Sequence, residues 1–222
     1  KLKRLRNIGF DEIFDQVVHI KKQAEQNYNS PLTNIVYMGM GEPLLNYKGM
    51  MQSIEKITSP QGLGMSPKRI TVSTAGIANM IKKLGDDEVK FNLALSLHAA
   101  NDKKRDHIMP INGHNSLDSL AEALKYFHNK TGTRVTFEYI VFKDFNDSIE
   151  DAAELASFAK NLPCKINIIE YNPIDDGGFQ QTTPERLDAF VQYIENKNLV
   201  VNVRRSRGKD IDAACGQLAN KN

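Results

Sequence analysis

Short apolar runs alternate with amphipathic helical segments along the whole chain, and this alternation limits the fold more than any other feature. A helix is expected over 11–26, where Phe10, Ile13, Phe14 and Val17 fall on one face. A strand over 34–38 follows, ending in Gly39-Met40-Gly41-Glu42-Pro43, and then a helix near 49–57. Further strands are expected at 69–73, 91–97, 134–142, 165–170 and 199–203. Between them lie helices at 77–84, from the N-cap Ser116, from Asp147 or Ser148 to about 160, and from Pro184. The last of these carries Leu187, Phe190, Val191 and Ile194 on its apolar face.

Strands that alternate with helices imply a parallel sheet with right-handed crossovers. The strands are apolar at nearly every position, as burial on both faces requires. An open doubly wound sheet and a barrel both fit this pattern. Polar or glycine-rich clusters after nearly every strand favour the barrel, whose site is built from many strand ends. They are Gly41-Glu42, Ser73-Thr74, Ser96 with His98, and Asn172. In a Rossmann sheet the chemistry would gather after the first strand.

The 222 residues, 41% hydrophobic, suffice for one domain over 1–222 with a sizeable core. No stretch approaches the ~20 apolar residues that span a bilayer. The basic N-terminus runs straight into an amphipathic helix, so no signal peptide is expected. The chain opens on Lys1, which is not expected to be a natural start. A net charge of +2 is too small to argue for nucleic acid. Two cysteines, Cys164 and Cys215, do not make a disulfide scaffold, so a reducing cytoplasm is expected.

The glycines of Gly39-Met40-Gly41-Glu42-Pro43 let a ligand approach the backbone, and the Glu42 carboxylate suits an ammonium group. A plain strand-to-helix turn reads equally well from these residues. Ser73-Thr74-Ala75-Gly76 and Ser96-Leu97-His98 offer hydroxyls and an imidazole to a carboxylate or ribose, or else cap helices. No Cys/His spacing suits a metal. Cys164 enters an apolar strand and reads as an inert buried thiol. Cys215 sits in a polar stretch after Arg204, Arg205, Arg207 and Lys209. Such cations lower a thiol pKa, and the same run can grip RNA phosphates or simply be solvated.

Taken together, several stretches resemble one family, the bacterial dual-specificity rRNA and tRNA adenine-C2 methyltransferases, which are radical S-adenosylmethionine enzymes. They are residues 34–46, Thr71-Val72-Ser73-Thr74-Ala75-Gly76, Leu95-Ser96-Leu97-His98-Ala99, Phe137-Glu138-Tyr139, Pro163-Cys164-Lys165-Ile166-Asn167 and residues 210–218. The resemblance covers essentially the whole chain. It implies an α/β fold, a partial TIM-type (βα)6 barrel truncated at its N-terminal side. It assigns Gly41, Glu42, Ser73, Ser96, Leu97, His98 and Asn172 to S-adenosylmethionine, and Cys215 to catalysis as a methylated carrier. One small departure is Glu170-Tyr171 before Asn172-Pro173, where many relatives have proline and an aromatic.

The large departure is the Cys-x-x-x-Cys-x-x-Cys loop that holds the family's [4Fe-4S] cluster, which this sequence lacks. The resemblance places that loop, the first strand and a small N-terminal domain upstream, so no metal ligand is expected here and the piece alone is expected to be inactive. It also implies the chemistry. C2 of adenine is too electron-poor to attack a methyl sulfonium. Cys215 therefore takes the methyl first, a 5′-deoxyadenosyl radical activates it, and the methylene radical adds to the base. The implied partners are 23S rRNA, tRNA and an electron donor such as flavodoxin, with no membrane. Two rival readings are a C8-methylating sister enzyme and a cluster-free RNA-binding barrel with no activity.

Overall fold

The computed structural model describes residues 6–173 and 178–205. The chain divides into two compact units. One comprises the residues up to Thr74 with Lys90–Asn92. The other comprises Ala75–Val89 and the residues from Leu93 on.

In the first unit, helix α1 (Phe10–Tyr28) starts where the Glu12 carboxylate accepts the Gly9 N–H at 2.7 Å. That carboxylate also takes two hydrogen bonds from Arg6, at 2.7 and 2.6 Å. The helix ends at Asn29 in the left-handed region, a conformation that asparagine tolerates. Helix α2 (Tyr47–Thr58) buries Met50, Ile54 and Ile57, and its Lys56 ammonium lies 4.3 Å from the Phe14 ring of α1. Strands β1 (Ile35–Tyr37) and β2 (Ile70–Thr74) run parallel, with Ile35 opposite Ile70. Tyr37 shares a 2.8 Å hydrogen bond with Ser53 of α2.

In the second unit, β3 (Asn92–Ser96, from Leu93 on), β4 (Val135–Val141), β5 (Cys164–Glu170) and β6 (Val201–Arg204) pair in parallel in chain order. Leu93, Leu95, Phe137, Tyr139, Ile166 and Ile168 alternate along their strands and are buried on one face. The expected burial of both faces holds for β3 and β4, whose Ala94, Thr136 and Glu138 are buried as well, but not for β5, where Lys165 is exposed, nor for β6, which buries no residue. Helices α3 (Ala78–Asp86) and α5 (Leu117–Thr131) approach so closely that a Cβ on Gly85 would lie 3.2–3.3 Å from Tyr126 and Phe127. Helix α5 starts at the expected Ser116 cap and stops at Gly132, whose φ is +67°. Helix α6 (Ile149–Ala159) resolves the Asp147-or-Ser148 choice. Ser148 caps it with a reciprocal Asp151 bond, whereas Asp147 is buried against Arg186 and Thr182. Helix α7 (Pro184–Glu195) buries Leu187, Phe190 and Ile194.

All six expected strands are present. Helix α4 (Asp102–Ile108), capped by Asn101, was not expected. At seven residues it is too short to show a helical period. No helix among the described residues is long and apolar enough to cross a membrane.

Candidate functional site

The candidate residues among those described sit at or beyond the C-terminal end of a parallel strand, except Ser73, which is one residue short of it. In the first unit, Gly39, Gly41 and Glu42 follow β1, and they line a groove of about 580 Å³ together with α1 and β1. Gly41 has φ +93°, a conformation that an L side chain rarely adopts. A Cβ at Gly39 or Gly41 would meet nothing within 4 Å, so the backbone there is open to close approach. Glu42 also has a structural task, because its carboxylate accepts the Leu44 N–H at 3.0 Å and caps the short helical turn Pro43–Asn46. The strand-to-helix turn is thus observed, while the glycines leave the backbone open. Ser73 is the half-buried fourth residue of β2.

In the second unit, Ser96 ends β3, and Leu97 and His98 turn the chain away. The turn is closed by the Ala99 N–H to the Leu97 carbonyl at 2.7 Å, across a His98 with φ +56°. A left-handed β-carbon-bearing residue in so tight a turn costs on the order of 1–3 kcal/mol and persists only where its surroundings enforce it. Here they do. The Leu97 and His98 amides both donate to the Glu138 carbonyl, at 3.0 and 3.3 Å. Asn146, itself buried, donates to the His98 carbonyl at 2.7 Å. The Ile140 N–H donates to His98 Nδ1 at 3.2 Å.

That last bond fixes the imidazole chemistry. Nδ1 is an acceptor, so the neutral ring carries its proton on Nε2. Burial, with Arg105 nearby, pushes the His98 pKa down from the ordinary 6.5 to about 4. At neutral pH the segment therefore offers two donors, the Ser96 hydroxyl and the His98 Nε2–H, which suit carboxylate or ribose oxygens. Asn172, two residues beyond β5, offers the complement. Its Oδ1 is buried and has no hydrogen-bond partner among the described residues. A buried amide oxygen left unpaired is costly, so this one is suited to a ligand's N–H or O–H.

The strand register adds a polar row that the sequence reading did not assign. Ser96 lies opposite Glu138, Glu138 opposite Asn167, and Asn167 opposite Asn202. Asn167 donates to the buried Glu138 carboxylate at 2.8 Å, and Arg204 reaches its other oxygen at 3.5 Å. Arg105 was missed too. It is wholly buried, with its guanidinium bound to the carbonyls around this segment. The acids three residues before it and one after it were readable, but the burial was not. Cys164 is half-buried and not fully buried as expected, but its thiol is held protonated. Burial, opposed by Arg134, raises its thiol pKa to about 11. The catalytic candidate Cys215, with Arg207 and Lys209, lies outside the described residues.

Residues 5–156 match the family model of the radical SAM superfamily. The chain belongs to that superfamily, whose cofactors are S-adenosylmethionine and a [4Fe-4S] cluster. Among its relatives, it is 59% identical over its whole length to the probable dual-specificity RNA methyltransferase RlmN of Christiangramia forsetii. It is 62% identical over 98% of its length to the protein of the same name from Cytophaga hutchinsonii. The chain spans 63% and 60% of those two proteins. A solved radical SAM methyltransferase from Sphaerobacter thermophilus superposes with a TM-score of 0.92 at 38% identity, over 96% of this chain and 62% of that one. The fold is accordingly of the α/β class, with parallel strands and helices that match a partial TIM-type barrel.

Proposed function

We propose that this chain is the catalytic barrel domain, over 1–222, of an RNA methyltransferase that adds a methyl group to C2 of an adenosine. Its substrates in this reading are 23S rRNA and tRNA, its electron donor is a protein such as flavodoxin, and it works in the cytoplasm. The observation that carries this reading is the identity of 59–62% along 98–100% of the chain to proteins named dual-specificity RNA methyltransferases.

S-Adenosylmethionine would be held by Gly41 and Glu42, Ser73, Ser96-Leu97-His98 and Asn172. In the first unit, the open backbone at Gly41 suits close approach of a ligand; in the second, the Ser96 hydroxyl and His98 Nε2–H suit carboxylate or ribose oxygens, and the Asn172 amide oxygen suits a ligand N–H or O–H. The residues present do not fit a [4Fe-4S] cluster. Such a cluster needs several thiolates at close spacing, and this chain has only Cys164 and Cys215. Bound S-adenosylmethionine supplies an electrophilic methyl group on a sulfonium. The role of Cys215 in this reading would be that of the nucleophile: its thiolate would take that methyl, with a new carbon–sulfur bond to Cys215 replacing the sulfonium carbon–sulfur bond and S-adenosylhomocysteine as the leaving group. The basic run that precedes Cys215 in the sequence would favour its thiolate, while Cys164 stays a protonated thiol.

The test uses the full-length protein with methyl-labelled S-adenosylmethionine and RNA. Cys215→Ala is expected to abolish transfer, with the wild-type label found on the Cys215 peptide, and Cys164→Ala to retain it. Turnover by Cys215→Ala, or label on Cys164, overturns the mechanism. Nucleoside analysis separates 2-methyladenosine from 8-methyladenosine, the product of a sister enzyme. RNA binding without any transfer favours the inert barrel.

A further inference from the structure

Arg105 has a relative exposure of 0%, and none of its hydrogen bonds goes directly to a carboxylate among the described residues. Burying a guanidinium is expensive unless its donors are met. Nε donates to the Leu97 carbonyl at 3.1 Å. One terminal nitrogen donates to the Ala75 carbonyl at 2.6 Å and to the Ser96 carbonyl at 3.2 Å. The other donates to Asn112 Oδ1 at 2.6 Å. The compensating charge sits one step away, because the Asn112 amide donates to Asp102 at 2.9 Å and to Asp106 at 2.8 Å. Asp102 in turn accepts the Leu117 N–H at the start of α5. The guanidinium is therefore held from behind by α4 and α5, with its fork turned toward three strand-end carbonyls.

Two of those carbonyls, of Ser96 and Leu97, lead into the strained turn at His98, and the third, of Ala75, lies just past the end of β2. With the Ser96 and Leu97 carbonyls bound by Arg105, the Leu97 and His98 amides bound by Glu138 and the His98 carbonyl bound by Asn146, the turn has little freedom to relax. What remains for a ligand is the Ser96 hydroxyl and the imidazole Nε2–H. We propose that Arg105 is a positioning residue: by gathering the Ala75, Ser96 and Leu97 carbonyls it holds the His98 turn in the conformation that presents Ser96 and His98 to S-adenosylmethionine. This rests on the proposed cofactor role of those two residues. Arg105 touches no cofactor itself. It lowers the cost of binding, because a relaxed turn would have to be strained again each time the ligand binds.

The test measures S-adenosylmethionine affinity by equilibrium dialysis on the full-length protein, together with hydrogen exchange of the Ala99 amide that closes the turn. Lysine keeps the charge but cannot span three carbonyls. Arg105→Lys is expected to weaken binding roughly tenfold and to speed Ala99 exchange by a similar factor. Phe127→Leu, a core change on α5 outside the site, controls for lost stability and is expected to leave both within about twofold per folded molecule. If Arg105→Lys shifts binding and exchange by less than about threefold, Arg105 is only structural and the proposal falls. If Arg105→Lys does not fold, Asn112→Ala, which removes the link from the guanidinium to the acids, is judged by the same threefold line. Ser96→Ala and His98→Ala separate the two levels. If neither weakens binding, the cofactor assignment fails and the proposal with it. If either does while Arg105→Lys does not, the proposal alone fails.

Discussion

Acidification gives a direct test of the state of His98. In the folded chain its pKa lies near 4, against 6.5 for an ordinary imidazole, because burial and the nearby Arg105 oppose the charge. Between these values the unfolded chain binds a proton that the native chain refuses, so the native state loses stability as pH falls from about 6.5 to about 4. At 1.36 kcal/mol per pH unit the full loss is about 3 kcal/mol, a large part of a typical domain stability of ~5–15 kcal/mol. The assay is urea unfolding from pH 7.5 to 4.5 on the wild type and on His98→Gln, which keeps a neutral polar side chain but cannot take up the proton. Carboxylates titrate alike in both proteins, so the difference between the two pH slopes isolates His98. The wild type is expected to lose about 2–3 kcal/mol more than the variant across that range. Parallel slopes, or a His98 ring titrating above pH 6 by NMR, would refute the reasoning.

Three further outcomes follow from the packing. Phe127→Ala empties a fully buried site on α5 and should cost about 3–5 kcal/mol, lowering Tm by on the order of 10 °C in calorimetry. Gly41→Ala meets no steric clash but must hold φ +93°, so it should cost about 1–2 kcal/mol and weaken S-adenosylmethionine binding in dialysis. Cys164, with its thiol pKa near 11 instead of 9, should alkylate with iodoacetamide at pH 8 roughly a hundredfold more slowly than an unshifted thiol, read by mass spectrometry of its peptide.

The strands and long helices were legible because their periods and caps are local. Ser116, Ser148 and Pro184 mark helix starts in the sequence, and Gly132 supplies the left-handed stop. Ser96, His98 and Asn172 could be placed at strand ends for the same reason. What could not be read depends on contacts between distant segments. Arg105 looks like one more charge in Asp102-Lys103-Lys104-Arg105, and only the folded chain brings Ala75 and Leu97 to it. Likewise Glu138 reads as an ordinary residue of an apolar strand until the register places it between Ser96 and Asn167. A plain strand-to-helix turn was expected at residues 39–43, but that Glu42 itself caps the turn Pro43–Asn46 was not readable.

The row Ser96, Glu138, Asn167 and Asn202 has a consequence for how the chain finds its fold. Apolar contacts alone have little to tell one alignment of parallel strands from the next. Sliding any one of these strands by a single residue would turn its member of the row onto the opposite face. For β4 that would leave the Glu138 carboxylate in an apolar layer without Asn167 or Arg204, a penalty of several kcal/mol for an unpaired buried charge. The row therefore acts as an error check during assembly, rejecting misaligned sheets that hydrophobic contacts alone would tolerate.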